Sequence, residues 1–274
     1  MIDLHSHTHY SDGSCSSEEL LQLAAGAGLN ALAVTDHDCF DGYERIITLP
    51  KPANMELVRG IEVTCREGSR TAHLLGYFLN GEPSAGFLQW MGDRHEQRRD
   101  RNRRLAARLR EVGIPVELEE VEALGRSITG RPHFARVLIN KGYARNIDEA
   151  FRGYLGEGGA AYVRHEAPPL AEGILRIREA GGLCSLAHPI RLGAAFGETF
   201  LATLTRQGLH ALEVFHTDHS LEDRARYLML ARRYELRVTG GSDFHGAVKP
   251  GVRLGGAGVE DWVLEELRAL IPGG

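Results

Sequence analysis

The chain has 274 residues, of which 43% are hydrophobic and 25% are charged, and its formal net charge is −5. This composition is ordinary for a globular protein, and the length suits a single α/β barrel or one domain carrying an insertion. The net negative charge argues against bulk binding to long duplex nucleic acid, and the absence of an apolar run of about 18 residues predicts no membrane span.

Seven short segments rich in β-branched or apolar residues are predicted to form strands. They are residues 2–5, 31–35, 57–63, 72–77, 183–187, 211–215 and 237–239. Several are almost continuously apolar, which is typical of parallel strands covered on both faces. Helical patterns separate most of them, beginning with residues 18–27, which Ser16 or Ser17 could cap and Gly28 closes. The alternation predicts an α/β barrel or a doubly wound sheet.

The alternation stops between residues 82 and 168, where the pattern is mostly helical. Helices are predicted at residues 87–112, 117–124, 131–140 and 147–154. A run of helices between the fourth and fifth strands indicates an insertion, with prolines near both boundaries. We therefore expect a barrel built from residues 1–81 and 169–274, and an inserted helical cap at residues 82–168.

The predicted strands carry metal-competent side chains within them or at their C-terminal ends, the rim where barrels form active sites. Nine such candidates are His5, His7, Asp12, His37, Glu62, His73, His188, Asp243 and His245. His5 and His7 stand two residues apart on a strand, so both side chains point to the same side. Burying so many ionisable groups without partners would be very costly. A mixed imidazole and carboxylate set suits Mn²⁺, Fe²⁺ or Zn²⁺.

The same positions form recognisable motifs. They are HSHTHYSDG at 5–13, VTDHD at 34–38, GIE at 60–62, AHLLGY at 72–77, LAHP at 186–189 and GSDFH at 241–245. In these motifs the sequence resembles the PHP (polymerase and histidinol phosphatase) family of the amidohydrolase superfamily. The resemblance implies a distorted (β/α)₇ barrel that binds two or three divalent ions, with Mn²⁺ expected first and Fe²⁺ or Zn²⁺ as alternatives.

The resemblance also implies how the nine side chains are shared among the ions. One ion would be held by His5, His7, Glu62 and Asp243. A second would share Glu62 and add His73 and His188, and a third would use Asp12, His37 and His245. The predicted cap is similar to that of small bacterial members, which include 3′,5′-nucleoside bisphosphate phosphatases and 5′→3′ exonucleases acting on short RNA.

Such a centre predicts phosphoester hydrolysis, with Glu62 as a shared catalytic ligand and a metal-bridging hydroxide as the nucleophile. A proton is then needed at the leaving oxygen. His216, at the end of the sixth predicted strand, is a candidate general acid. The alternative is that His216 only orients a metal ligand, and Asp218 and His219 are weaker candidates.

The first cap helix is rich in arginine. Its helical stripe at positions 87, 91, 94, 98, 101, 105, 108 and 112 has apolar residues at its ends and arginines in its middle. This favours Arg94, Arg98 and Arg101 facing an anionic cleft, with Asn102 and Arg103 nearby. The alternative is a solvated surface helix.

A second cap motif, Gly130-Arg131-Pro132-His133, opens another predicted helix. The N-terminal amides and dipole of a helix favour phosphate, so Arg131 and His133 are candidate contacts to a second phosphate. A plain helix start is the alternative.

Two basic features and one metal centre predict a nucleoside 3′,5′-bisphosphate as substrate, with release of the 3′-phosphate to give a nucleoside 5′-monophosphate. A 5′→3′ exonuclease on short 5′-phosphorylated RNA remains open, because both activities need phosphate contacts. A histidinol-phosphate phosphatase is disfavoured, since the cap shows no acidic cluster for a cationic amine. A non-catalytic nucleic-acid-binding module is disfavoured by the complete ligand set.

The remaining expectations concern location and partners. The four cysteines are far apart, and the N-terminus resembles no secretory leader, so we expect reduced thiols and a cytoplasmic protein. No feature of the sequence predicts an obligate protein partner or binding to a membrane.

Overall fold

The computed structural model describes residues 1–68, 70–164 and 166–271. One seven-stranded sheet runs in chain order. Its strands are β1 (Ile2–Asp3), β2 (Ala31–Val34), β3 (Glu56–Glu67), β4 (Arg70–Phe78), β5 (Leu183–Leu186), β6 (Ala211–His216) and β7 (Arg237–Gly241). All seven predicted strands are present, and the expected distorted α/β barrel is confirmed.

The two outer strands meet through main-chain hydrogen bonds just beyond their regular pairing. Leu4 N donates to Gly240 O at 3.1 Å, Asp243 N to His5 O at 2.9 Å, and His7 N to Phe244 O at 2.9 Å. These bonds nearly close the barrel. They also bring the ends of β1 and β7 together, so the His5–His7 segment lies beside Asp243.

One strand departs from the expectation of a parallel sheet. β4 runs antiparallel to both β3 and β5, and its long hairpin with β3 places His73 opposite Thr64. A parallel pair needs a crossover of a dozen or more residues, whereas only two residues separate β3 from β4. Because of this reversal His73, near the start of β4, reaches the rim where the other strands have their C-terminal ends.

Ten α-helices surround the sheet or form the cap in the described part of the chain. They are α1 (Ser17–Gly26), α2 (Asp41–Ile46), α3 (Ala85–Glu111), α4 (Leu118–Glu122), α5 (Arg131–Asn140), α6 (Ile147–Ala150), α7 (Leu170–Glu179), α8 (Glu198–Arg206), α9 (Leu221–Arg233) and α10 (Trp262–Arg268). The helix predicted at residues 147–154 is divided, because a π-helical turn at Phe151–Leu155 follows α6. None of these helices is both long and apolar enough to cross a membrane.

The start of α1 offers a test of local stability. The Ser16 hydroxyl accepts from Glu19 N at 3.2 Å, and Glu19 Oε2 accepts from Ser16 N at 2.7 Å, forming a capping box. We expect Ser16→Ala to lower the free energy of unfolding by about 1 kcal/mol, because an amide of the first turn loses its partner. Ser16→Asn, which can still cap the helix, should stay close to wild type in urea denaturation. Equal stability of the alanine variant would contradict this account.

The cap has its own hydrophobic cluster. Leu105, Leu109, Val121, Phe134 and Leu138 belong to it, and they are fully buried. The first turns of α3 pack instead into the barrel core through Phe87, Trp90 and Met91. This separation supports the proposed division into a barrel and a cap at residues 82–168, with α3 leading from one into the other.

Polar contacts hold the cap against the barrel rim. His95 Nε2 lies 2.6 Å from Asp38 O, and Arg98 forms an ion pair with the Asp38 carboxylate. Ile128 N donates to Tyr10 O at 2.9 Å from the other side of the cap. α3 and the loop before α5 therefore form walls above the strand ends.

Candidate metal centre and substrate cavity

Four of the nine candidate ligands converge where the barrel closes. Their ligating atoms all lie within 4.8 Å of one another: His5, His7, Glu62 and Asp243. His7 Nε2 is 3.1 Å from Glu62 Oε2 and 3.3 Å from Asp243 Oδ1, and His5 Nε2 is 3.4 Å from each of these oxygens. Three segments that are distant in sequence, the end of β1, strand β3 and the end of β7, thus bring two imidazoles and two carboxylates together.

Glu62 faces a second group with its other oxygen. Glu62 Oε1 lies 2.8 Å from His188 Nε2 and 2.9 Å from His73 Nδ1, which come from the end of β5 and from the reversed β4. One carboxylate therefore lies between two sets of imidazoles, the position of a ligand shared by two ions.

A third group surrounds Asp12. Asp12 Oδ1 lies 3.2 Å from His245 Nε2 and 3.7 Å from His7 Nδ1, while Asp12 Oδ2 is 3.6 Å from His37 Nε2. The structure thus brings together all three sets implied by the sequence motifs, and it places His7 beside this third set as well as the first.

The chemistry of these side chains fits divalent cations. His5 Nε2, His7 Nε2, Asp12 Oδ1, His37 Nδ1 and Asp243 Oδ1 are buried atoms that have no hydrogen-bond partner in the described structure. Buried polar atoms are nearly always satisfied, so five unsatisfied atoms facing one another need an explanation. Cations bound between them would supply the missing interactions.

The electrostatics differ among the candidate ligands. Burial alone would lower the pKa of His7, but the carboxylates of Asp243 and Glu62 raise it to about 9, and nearby carboxylates also raise the pKa of His5. Burial lowers the pKa of His37 to about 4 and the pKa of His188 to about 3, the latter with help from Arg191. Burial alone would raise the pKa of Glu62, but the imidazoles of His37 and His73 hold it well below its ordinary value. Near neutral pH, His37, His188 and Glu62 are therefore in the protonation states that bind metal, whereas His5 and His7 would release a proton when a cation binds.

Backbone strain is concentrated at the same rim. Among the described non-glycine residues, positive φ angles occur at Asp38 (53°), His188 (25°), Asp243 (55°) and Glu235 (55°), and the first three of these border the candidate centre. Such conformations persist only where the surroundings enforce them, and they cluster at functional sites.

Comparison with known proteins identifies the family. The model of the PHP domain matches residues 3–151. The chain belongs to the PHP family. A crystal structure of a metal-dependent phosphoesterase from Bifidobacterium adolescentis is 28% identical, with a TM-score of 0.87, and the match covers 98% of this chain and 96% of that one.

Curated relatives of similar identity have different activities. The 3′,5′-nucleoside bisphosphate phosphatase of Chromobacterium violaceum is 30% identical over 93% of this chain and 90% of its own length. The 5′-3′ exoribonuclease Rnm of Escherichia coli is 32% identical, covering 97% and 94%. A phosphoribosyl 1,2-cyclic phosphate 1,2-diphosphodiesterase of Eggerthella lenta is 34% identical, covering 89% and 94%. The protein is therefore a metal-dependent phosphoesterase of the PHP family and a phosphoric ester hydrolase.

The PHP centre opens into a cavity of about 370 Å³ between the barrel and the cap. Its barrel side is lined by candidate ligands, and its cap side by basic residues. The first set is Asp12, His37, His73 and His188, and the second is Arg98, Arg101, Arg131 and His133. A cavity with a candidate metal centre on one side and cations on the other suits a ligand with more than one anionic group.

Arg101 is the most unusual residue in this cavity. The side chain is only 2% exposed, and neither Nε nor Nη1 has a partner within the described residues. Burial, Arg98 and Arg131 together lower the pKa of Arg101 well below its usual range. A buried charge without compensation is costly, and an anion bound in the cavity would supply the missing compensation.

The other cap residues at the cavity have partners. The Arg98 guanidinium, besides its ion pair with Asp38, lies 3.1 Å from Thr64 Oγ1. The Arg131 guanidinium lies over the Phe151 ring, 5.6 Å from its centroid. His133 Nδ1 accepts from Gly130 N at 3.1 Å, and burial lowers the pKa of His133. Asn102 is buried with its amide donating to Thr129 O at 3.0 Å, and it lines an adjoining cavity of about 360 Å³.

Two predicted substrate contacts do not line either cavity. Arg103 is half-exposed and pairs with Asp100, because two residues after Arg101 the helix has turned through about 200°. Arg94 shares the stripe of Arg101 but lies two turns lower, where Arg94 Nη1 donates to Glu166 O at 3.1 Å. The lining of the two cavities does not support a substrate contact for either residue, so that contact stays a prediction.

The geometry of His216 favours the alternative role, in which this residue orients a metal ligand, over the role of general acid. The side chain is fully buried and lies outside the cavity lining. His216 Nδ1 accepts from Asp218 N at 2.9 Å, which leaves the proton on Nε2, 3.5 Å from Asp243 Oδ2. His216 therefore faces Asp243, although Nε2 makes no hydrogen bond within the described residues. Asp218 pairs with Arg191, His219 Nδ1 lies 2.8 Å from Val214 O, and neither residue lines the cavity.

Sequence reasoning missed three residues around the centre. Glu213 is an acid inside the apolar strand β6, and that interruption was the available signal. Arg191 lines the cavity, and Arg191 Nη2 lies 2.6 Å from Asp243 Oδ2. Lys249 Nζ lies 2.5 Å from the same oxygen. Both cations come from irregular segments after strands, where no periodic pattern points to them.

Proposed function

We propose that this PHP protein is a 3′,5′-nucleoside bisphosphate phosphatase that releases the 3′-phosphate and leaves a nucleoside 5′-monophosphate. The observation that carries the proposal is Arg101, a buried guanidinium facing the cavity without a counterion among the described residues. Its position on the cap side, away from the candidate ligands, suits a second phosphate that is not the one hydrolysed.

The candidate ligands would bind two or three divalent ions, with Mn²⁺ first and Fe²⁺ or Zn²⁺ as alternatives. His5, His7, Glu62 and Asp243 would hold one, Glu62, His73 and His188 a second, and Asp12, His37 and His245 a third. When bound, the ions would supply a nucleophile at neutral pH and neutralise charge on the transferred phosphoryl group.

The protein's own side chains would orient the substrate, so that its 3′-phosphate and not its 5′-phosphate lies at the metal centre. Arg101 and Arg131, with His133, would bind the 5′-phosphate by charge-assisted hydrogen bonds. Arg98, fixed by Asp38 and Thr64, would separate this subsite from the centre. Glu62 would hold the first and second ligand sets at a fixed distance from each other, and His216 would orient Asp243.

A 5′→3′ exoribonuclease activity on short RNA is the second candidate. Its support is the similar identity to Rnm, together with the adjoining cavity that shares Arg98 and Ile128 with the main one. The same Arg101 subsite would then bind the 5′-phosphate of the strand.

Specificity constants distinguish these activities. Wild-type protein loaded with Mn²⁺ would be assayed with a nucleoside 3′,5′-bisphosphate, a 5′-phosphorylated RNA trimer and histidinol phosphate. The proposal predicts the highest kcat/KM for the bisphosphate. A higher value for the trimer would make exonuclease the function, and hydrolysis of histidinol phosphate alone would overturn the substrate assignment.

A further inference from the structure

Glu213 lies at the base of the metal centre without belonging to the nine candidate ligands. The side chain is fully buried in β6, and its two oxygens have different partners. Glu213 Oε1 lies 2.8 Å from His5 Nδ1, and Glu213 Oε2 accepts from His188 N at 2.6 Å. One carboxylate therefore contacts two residues that belong to two different ligand sets.

The first contact determines which nitrogen of His5 can bind a cation. A carboxylate beside Nδ1 keeps the proton on that nitrogen, so Nε2 presents its lone pair. His5 Nε2 is the buried, unsatisfied atom that faces Glu62 and Asp243. The opposite tautomer would put a hydrogen where the cation should be.

The second contact acts through the backbone. His188 has φ of 25° and ψ of 67°, a conformation that a non-glycine residue adopts only under constraint. The hydrogen bond from His188 N to Glu213 holds the main chain at this point, while His188 Nε2 lies 2.8 Å from Glu62 Oε1. A relaxed backbone would direct the imidazole elsewhere.

We propose that Glu213 is a positioning residue that holds His5 and His188 in the geometry needed for cation binding. This inference rests on the metal centre of the proposed function. Glu213, His5 and His216 could also be viewed as a separate metal site, since their ligating atoms lie within 4.8 Å of one another. An ion there would need His5 Nδ1 deprotonated while Nε2 serves the main centre. The two hydrogen bonds already made by Glu213 favour the positioning role.

The test compares cation binding by wild type, Glu213→Gln and a control, Ser185→Ala. The amide introduced by Glu213→Gln would retain the shape of the carboxylate but could accept only one of the two hydrogen bonds. Ser185 is also buried in the barrel, where Ser185 Oγ lies 2.7 Å from Thr239 Oγ1, and its side chain makes no hydrogen bond to a candidate ligand within the described residues. Mn²⁺ titration of each metal-free protein would give affinity and stoichiometry.

We expect Glu213→Gln to weaken the sites that contain His5 and His188 by about 10- to 100-fold. Binding at the set around Asp12, which contains neither residue, should persist, and Ser185→Ala should match wild type. When Co²⁺ replaces Mn²⁺ in Glu213→Gln, the visible absorption of the sites that contain His5 and His188 should be lost, whereas that of the set around Asp12 should remain. Equal weakening of all sites, or none, would overturn the proposal.

A measurement on the wild type keeps the inference testable if the variant fails to fold. In ¹⁵N-histidine spectra of the metal-free protein, His5 Nδ1 should carry a proton that is hydrogen-bonded to Glu213. A His5 Nδ1 without a proton would contradict the positioning role. If wild type bound no Mn²⁺ at all, the proposed function would fail, whereas the protonation of His5 Nδ1 would still decide this inference.

Discussion

Replacing Glu62 by glutamine is expected to lower kcat by about 10³-fold or more. Glu62 Oε2 faces His5, His7 and His37, whereas Glu62 Oε1 faces His73 and His188. The amide has one oxygen and no charge, so it cannot serve both groups. Steady-state assays at saturating Mn²⁺, with metal content measured in parallel, would show the loss.

A matched control comes from the same strand. Glu67 ends β3 five residues after Glu62, so its side chain points to the opposite face of the strand from that of Glu62. Glu67→Gln should keep wild-type turnover, which would show that loss of a glutamate charge alone does not affect the enzyme. Near-normal activity of Glu62→Gln would exclude Glu62 as a shared ligand.

Replacing Arg101 by methionine should change stability and activity in opposite directions. Methionine has a similar length and no charge, so the free enzyme should gain about 1–4 kcal/mol in its free energy of unfolding. The kcat/KM for a nucleoside 3′,5′-bisphosphate should fall about 100-fold, because a charge-assisted contact to the second phosphate is lost. Hydrolysis of a nucleoside 3′-monophosphate, which has no second phosphate, should change little.

Arg103→Met is the control for this substitution, since Arg103 lies on the exposed side of α3 with Asp100. It should leave both the unfolding free energy and the bisphosphate kinetics near wild type. If Arg101→Met lost activity equally on the monophosphate and the bisphosphate, the second-phosphate subsite would be wrong.

The strands could be predicted from the sequence because they are short apolar runs, but the choice of a barrel over a doubly wound sheet came from the resemblance to the PHP family. The direction of β4 could not be predicted, since an apolar strand pattern carries no information on orientation. The position of His73 near the start of its strand depends on that reversal. The ligand sets were implied by the resemblance to the PHP family, because the spacing of His5 and His7, and of Asp243 and His245, indicates only that each pair points to one side of its strand.

The cap was predicted less completely. Helical periodicity predicted that Arg98 and Arg101 face the cleft, and both residues line the cavity. Periodicity does not show how far the cleft extends along α3. Arg94 lies beyond it, and Arg103 faces away. Glu213 was missed because a single acid in a strand indicates a buried contact without naming its partners, which here come from the distant residues His5 and His188.

The central claim is that the metal centre receives the 3′-phosphate while Arg101 binds the 5′-phosphate. Chromatographic identification of the products from a nucleoside 3′,5′-bisphosphate tests it most directly. The account predicts nucleoside 5′-monophosphate and one equivalent of inorganic phosphate. Accumulation of nucleoside 3′-monophosphate, or an intact bisphosphate after incubation with the Mn²⁺-loaded protein, would contradict it.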